Sequence, residues 1–161
     1  MADFKVRVTK DYLVFCAAHF ITYGGECERL HGHNYRVAAT LEGSLDENGY
    51  VYDFIALKTL LKRIAGELDH RMLLPTRSPR ISVEVQGEAV EVRADGRRYV
   101  FPADDCVLLP VENTTAERLA AWIAGRAVAE LLASGVRHIT AITVEVEESF
   151  GQSAIYRQTL S

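Results

Sequence analysis

The segment Cys27–Val37, CERLHGHNYRV, brings a thiol and two imidazoles into one short stretch. Cysteine and histidine ligate transition metals, move protons near neutral pH and act as nucleophiles. His31 and His33 stand at i and i+2, so in an extended chain both project from one face, which suits joint chelation of an ion. His19 ends the preceding extended stretch, where a hairpin partner would bring it beside that pair. Three neutral imidazoles without a fourth protein ligand are the donor set of a catalytic zinc with an open position. A structural site would take four ligands, and Cys27 is the residue available as the fourth. An HxH spacing alone is more commonly met by a histidine pair in a core or on a surface.

Three further groups could do chemistry. Cys27 follows Gly24-Gly25 in a predicted loop, where a thiol is expected to stay accessible. Arg29 or a nearby zinc would favour its thiolate, and Glu26 and Glu28 would oppose it; an inert thiol is the alternative. Inertness is the reading for Cys16, in an apolar strand, and for Cys106, in DCVLLP. Asp69 and His70 adjoin at the end of a predicted helix, where the acid can orient the imidazole as an acid–base relay to a cysteine; the plainer reading is a surface pair. Glu148 closes the run TVEVEE just before a loop and can either bind a guanidine-like ligand edge or stay solvated. His138 has no partner in sequence and reads as structural.

The elements that must position these groups are legible as patterns. FKVRVTK alternates, LVFCAAHF continues extended, ITYGGECERL is a loop, and NYRVAATLEG sends Tyr35, Val37, Ala39 and Leu41 to one side. Asn48-Gly49 signals a turn, and Asp53 is a helix N-cap ahead of Leu57, Leu60, Leu61, Ile64 and Leu68 at helical spacing. Thr114 and Glu117 form a capping box for a second helix that ends at Gly135. ITAITVEVEE and AIYRQTL are strand patterns around a loop from Ser149 to Ser153. Between the helices, ISVEVQ, AVEVR and RRYVF read as short strands, with a hairpin turn at Asp95-Gly96. The order strand, strand, helix, β-rich insert, helix, strand, strand predicts one α+β domain over 1–161.

Composition narrows the class. The 161 residues are 48% hydrophobic and 25% charged, which suits a folded domain with its own core. A net charge of −4 argues against nucleic acid or an anionic membrane as the main partner. The three cysteines are widely spaced, no run reaches membrane-span length and the N-terminus lacks a signal-peptide core, so a reduced, cytoplasmic protein is expected.

The string Cys27-x-x-x-His31-Gly32-His33-Asn34-Tyr35 resembles the signature of the 6-pyruvoyl-tetrahydropterin synthase/QueD family. AAHF upstream, VYDF at Val51 to Phe54, LDH, TTAE and VEVEES then fall in that family's order, covering the whole sequence except Met72 to about Val111. The three residues between Cys27 and His31 resemble the 6-carboxy-5,6,7,8-tetrahydropterin synthase branch most. The resemblance implies a tunnelling fold: a four-stranded antiparallel sheet with two helices on one face, here with a β-rich insert at about 72–111. It implies zinc on His19, His31 and His33, Cys27 as catalytic base and Asp69–His70 as relay. Glu148 would anchor the amino-pyrimidine edge of a pterin, with Thr115 and Glu117 near its pocket. The implied substrate is 7,8-dihydroneopterin triphosphate, whose vicinal hydroxyls suit a zinc with an open position, and the implied assembly is a homohexamer of two trimers. Pyruvoyl-pterin formation, aldolase-type cleavage and a non-catalytic pterin- or metal-binding oligomer are the alternatives. The insert could mark another pterin substrate or only decorate the outer face.

Overall fold

The alternation that starts at Phe4 runs through to His19 as one long strand, β1 (Phe4–His19), in a computed structural model that describes residues 4–160. A register shift between Thr9 and Val14 divides the strand where its two sequence patterns meet. After a small hairpin of β2 (Thr22–Tyr23) and β3 (Glu26–Cys27), β4 (His31–Gly43) returns antiparallel to β1, pairing His19 with His31 and Phe15 with Tyr35. Helix α1 (Phe54–Leu68) is capped by the Asp53 carboxylate, which accepts from Ala56 N–H at 2.7 Å. It leads into β5 (Arg71–Pro75), then β6 (Ile81–Gln86), β7 (Ala89–Ala94), β8 (Arg97–Pro102) and β9 (Cys106–Leu109). Helix α2 (Ala116–Ala133), β10 (Ile139–Ser149) and β11 (Gln152–Thr159) follow.

The principal sheet has six strands in the order β11-β10-β4-β1-β5-β9. The expected four-stranded antiparallel sheet is therefore only its larger part. β5 runs parallel to β1, and β9 parallel to β5, so the sheet is mixed. The reason lies in RMLLP and CVLL, short runs without regular alternation: Met72, Leu73 and Leu74 of β5 are buried, as suits an inner parallel strand, whereas β9 forms the sheet edge. Leu73 enters the main core beneath the helices, whereas Met72 and Leu74 point into a second apolar cluster. The region between the helices thus contains two strands of the main sheet, and the inserted part is the three-stranded β6-β7-β8 sheet.

The main core lies between α1, α2 and the sheet face carrying Phe15, Tyr35, Val37 and Leu41. The second cluster joins Ile81, Val90, Val92 and Ala94 of the insert to Phe20, Cys27, Met72 and Leu74. The N-cap of α2 is Thr115, whose hydroxyl accepts from Arg118 N–H at 3.4 Å, one residue later than the capping box expected at Thr114. Thr114 is instead buried and turned to another task. Among the described residues, no helix is long and apolar enough to cross a membrane.

Candidate functional site

Pairing of β1 with β4 stacks His19, His31 and His33 at one end of the main core face, beyond the stacked rings of Phe15 and Tyr35 at 4.6 Å. One ring nitrogen from each histidine lies within 4.8 Å of the others. Carbonyl oxygens only accept, so two contacts fix the tautomers: His19 Nδ1 donates to Thr114 O at 2.8 Å, and His31 Nδ1 donates to Arg29 O at 2.7 Å. In the neutral rings the two Nε2 lone pairs then face one another at 3.1 Å. His33 Nε2 is buried without a hydrogen-bond partner. Three ring nitrogens that converge this closely are compatible with a metal ion, and holding imidazoles through Nδ1 by carbonyls, as in His19 and His31, is the usual outer support of a bound transition metal. Burial pushes His19 down to about 4; the Thr114 carbonyl opposes that shift and the neighbouring imidazoles add to it, so the ring stays neutral as a ligand must. Gly32 separates the two β4 histidines because a Cβ there would meet the Ala17 carbonyl oxygen at 3.0 Å.

Glu148 stands next to this cluster, its Oε1 3.6 Å from His33 Nε2. It shares a cleft with Ile21, Thr115, Ala116, Glu117 and Gln152, so the expected Glu148, Thr115 and Glu117 are brought together. A carboxylate between a metal site and a helix N-terminus is placed to accept from an amino-pyrimidine edge.

Cys27 departs from expectation. The thiol is not in an open loop: the residue is 6% exposed, packed in the second cluster and at the edge of a cleft with Arg29, Leu30, Arg97 and Tyr99. Burial pushes its pKa up; Arg97 opposes this, and Asp95 and Glu28 add to it. The expectation failed because the residues that cover the loop come from the insert, far along the sequence.

Asp69 and His70 form a built pair. Asp69 Oδ2 accepts from His70 Nδ1 at 2.9 Å, and Oδ1 accepts from Cys16 N–H at 2.8 Å. His70 N–H donates to Cys16 O at 2.6 Å, and the residue holds φ at 56°, a left-handed conformation that a non-glycine residue adopts only when its surroundings impose it. Burial works to raise Asp69, but the hydrogen bonds from Cys16 and His70 outweigh it and hold the carboxyl below its ordinary value. The Nδ1 side of the ring is taken by Asp69, and the side chain is 80% exposed. Its cleft, with Cys16, Gly32, Leu30 and Phe101, adjoins that of Cys27 at Leu30 but contains neither the thiol nor an imidazole of the cluster. Within one protomer the relay and the thiol are not brought together.

A family model described as 6-pyruvoyl tetrahydropterin synthase (PTPS) matches residues 7–159. The chain belongs to this family. A putative 6-carboxy-5,6,7,8-tetrahydropterin synthase of Methanocaldococcus jannaschii is 34% identical over 92% of this chain and 91% of its own. One of the same name from Pyrococcus horikoshii is 33% identical over 92% of this chain and 88% of its own. The solved 6-pyruvoyl tetrahydropterin synthase of Plasmodium falciparum superposes with a TM-score of 0.90 at 34% identity, covering 99% of each chain. The PTPS fold and a tetrahydropterin-synthase type of activity follow from these matches.

Sequence reasoning missed the groups that hold the PTPS site together. Asn113 bridges Thr22 through both its amide atoms and accepts from Thr114 N–H, presenting the Thr114 carbonyl to His19. That is a backbone contribution with no side-chain signal. Asp95 and Arg97 were visible only as a hairpin turn. His138 is structural as expected, its Nε2 2.8 Å from Val51 O. Metal content tests the cluster: His31→Ala or His33→Ala is expected to lower bound metal from near one per protomer to near zero by elemental analysis. The circular dichroism spectrum should be kept, because both rings lie at the end of the core. Full metal occupancy in a variant lacking all three imidazoles would refute the site.

Proposed function

We propose that this protein is a zinc-dependent 6-carboxy-5,6,7,8-tetrahydropterin synthase, a lyase that acts on 7,8-dihydroneopterin triphosphate and releases acetaldehyde and triphosphate. The observation that carries the reading is the convergence of one ring nitrogen from each of His19, His31 and His33, that of His33 buried and unpartnered, beside Glu148. The family match and the name of the Methanocaldococcus jannaschii relative support the substrate class.

Zinc, when bound by His19, His31 and His33, would supply Lewis acidity toward the hydroxyls of the substrate's C6 substituent. Glu148, with Thr115 and Glu117 beside it, accepts from the amino-pyrimidine edge and fixes the ring. Cys27, as thiolate, takes the C–H proton of that substituent, and His70, oriented by Asp69, passes the hydroxyl proton. In this reading the enzyme is a homo-oligomer, a hexamer of two trimers, in which another copy covers the exposed His70. A general acid–base group works best when water is excluded around it, and here the ring stands in the open.

Incubation of the zinc-loaded protein with 7,8-dihydroneopterin triphosphate tests the reading by mass spectrometry. The expected products are 6-carboxy-5,6,7,8-tetrahydropterin and acetaldehyde. A pyruvoyl-pterin or a hydroxymethyl-pterin would move the protein to a neighbouring reaction of the family. No turnover by a zinc-loaded oligomer would overturn the catalytic reading.

A further inference from the structure

We propose that the tip of the β7–β8 hairpin, through Asp95 and Arg97, is the device that positions the Cys27 thiol for proton transfer. The Asp95 carboxylate accepts from the Cys27 backbone N–H, and Arg97 Nη2 donates to the Cys27 carbonyl at 2.5 Å. Both backbone polar groups of this one residue are therefore held by the insert.

The grip depends on local geometry that the sequence encodes. Asp95 and Gly96 both lie at positive φ, 49° and 75°, which is the two-residue turn suited to a tight hairpin. That turn sets residues 95 and 97 side by side, with Ala94 paired to Arg97. Arg80 stands 3.6 Å from the Asp95 carboxylate and also reaches to 3.7 Å from the position a Cβ would take on Gly25. One arginine thus steadies the gripping carboxylate and lies over the loop that carries the thiol. Ile81, Val90, Val92 and Ala94 pack in the same apolar cluster as Cys27, so the hairpin is anchored where it grips.

Cys27 pairs within its own hairpin only with Thr22, two residues on each side, too short a ladder to fix the thiol alone. Without the grip the loop gains freedom, and a misplacement of about 1 Å at a reacting group costs up to about a hundredfold in rate. The inference rests on the reading of Cys27 as the catalytic base, and the insert becomes part of the active machinery and not a decoration.

The test uses the zinc-loaded, full-length protein with Cys16 and Cys106 replaced by Ala, so that Cys27 alone reports thiol reactivity. Asp95→Ala is expected to lower kcat by about tenfold or more, with KM and zinc content unchanged. The same variant should alkylate faster with iodoacetamide, because the covered thiol is released. Asp95→Asn, whose amide oxygen can still accept from the Cys27 N–H, should restore kcat to within about threefold. Arg97→Lys should likewise exceed Arg97→Ala. Asp95 is exposed on its turn, so the fold is not at stake. Wild-type kcat together with wild-type alkylation in Asp95→Ala would overturn the positioning role. If Cys27→Ala itself kept full activity, the reading of the thiol as base would fall, while faster alkylation of Asp95→Ala would still show that the hairpin holds the loop.

Discussion

Replacing Cys27 by Ala is expected to reduce kcat for 7,8-dihydroneopterin triphosphate by about a hundredfold or more, in line with loss of a general base, while zinc content and pterin binding stay at wild-type levels. The separation of these readouts follows from the geometry. The metal donors are His19, His31 and His33, and the pterin edge falls to Glu148, so neither requires the thiol. Burial has raised the thiol above its ordinary value, which makes it a strong base that is little ionised at neutral pH. The base must be deprotonated to act, so kcat/KM should climb as pH rises toward and beyond 9, the ordinary thiol value, and that limb should vanish in Cys27→Ala. Cys16→Ala and Cys106→Ala should be near neutral for catalysis. Cys16 serves Asp69 and His70 through its backbone, and Cys106 Sγ only donates to Pro102 O at 3.5 Å. Wild-type turnover by Cys27→Ala would remove the thiol from the reaction.

What the sequence carried and what it hid divide along physical lines. Local signals held: Asp53 caps α1, Asp95-Gly96 turns the hairpin, and the alternation of NYRVAATLEG sends Tyr35, Val37, Ala39 and Leu41 into the core. The placement of His19 beside His31 was also within reach, because a hairpin register of two adjacent strands is nearly a local property. The two parallel strands were not. β5 and β9 carry only short apolar runs, MLLP and CVLL, whose partners lie across long connections, and periodicity cannot distinguish such a run from a buried loop. The burial of Cys27 was hidden for the same reason. Glycines and charges in its own segment predict exposure, whereas Asp95, Arg97 and the apolar face of the insert arrive from some 70 residues away.

Mixing two inactive variants is expected to restore activity, and this is the sharpest consequence of where His70 stands. His70→Ala and Cys27→Ala should each be nearly inactive as pure proteins. The Asp69–His70 pair is rigidly built, with both carboxylate oxygens engaged and the backbone held in a left-handed conformation, yet the imidazole is 80% exposed. In the proposed oligomer such an exposed pair would meet its partner on a neighbouring protomer. The Cys27 cleft meets the His70 cleft only at Leu30, so in the proposed oligomer a second copy would supply the imidazole to each thiol. Closed symmetry would then repeat one such contact around the assembly. When the two variants are unfolded together and refolded as one pool, a site that draws its thiol from one copy and its imidazole from a neighbour finds both intact in about a quarter of random pairings. About a quarter of wild-type kcat per site is therefore expected from the mixture, with light scattering showing oligomers and zinc content unchanged. If thiol and imidazole served the same protomer, no arrangement of the two variants would contain an intact site. Activity at the level of the pure variants, in an oligomer shown to be mixed, would confine the relay to a single protomer or remove His70 from the mechanism.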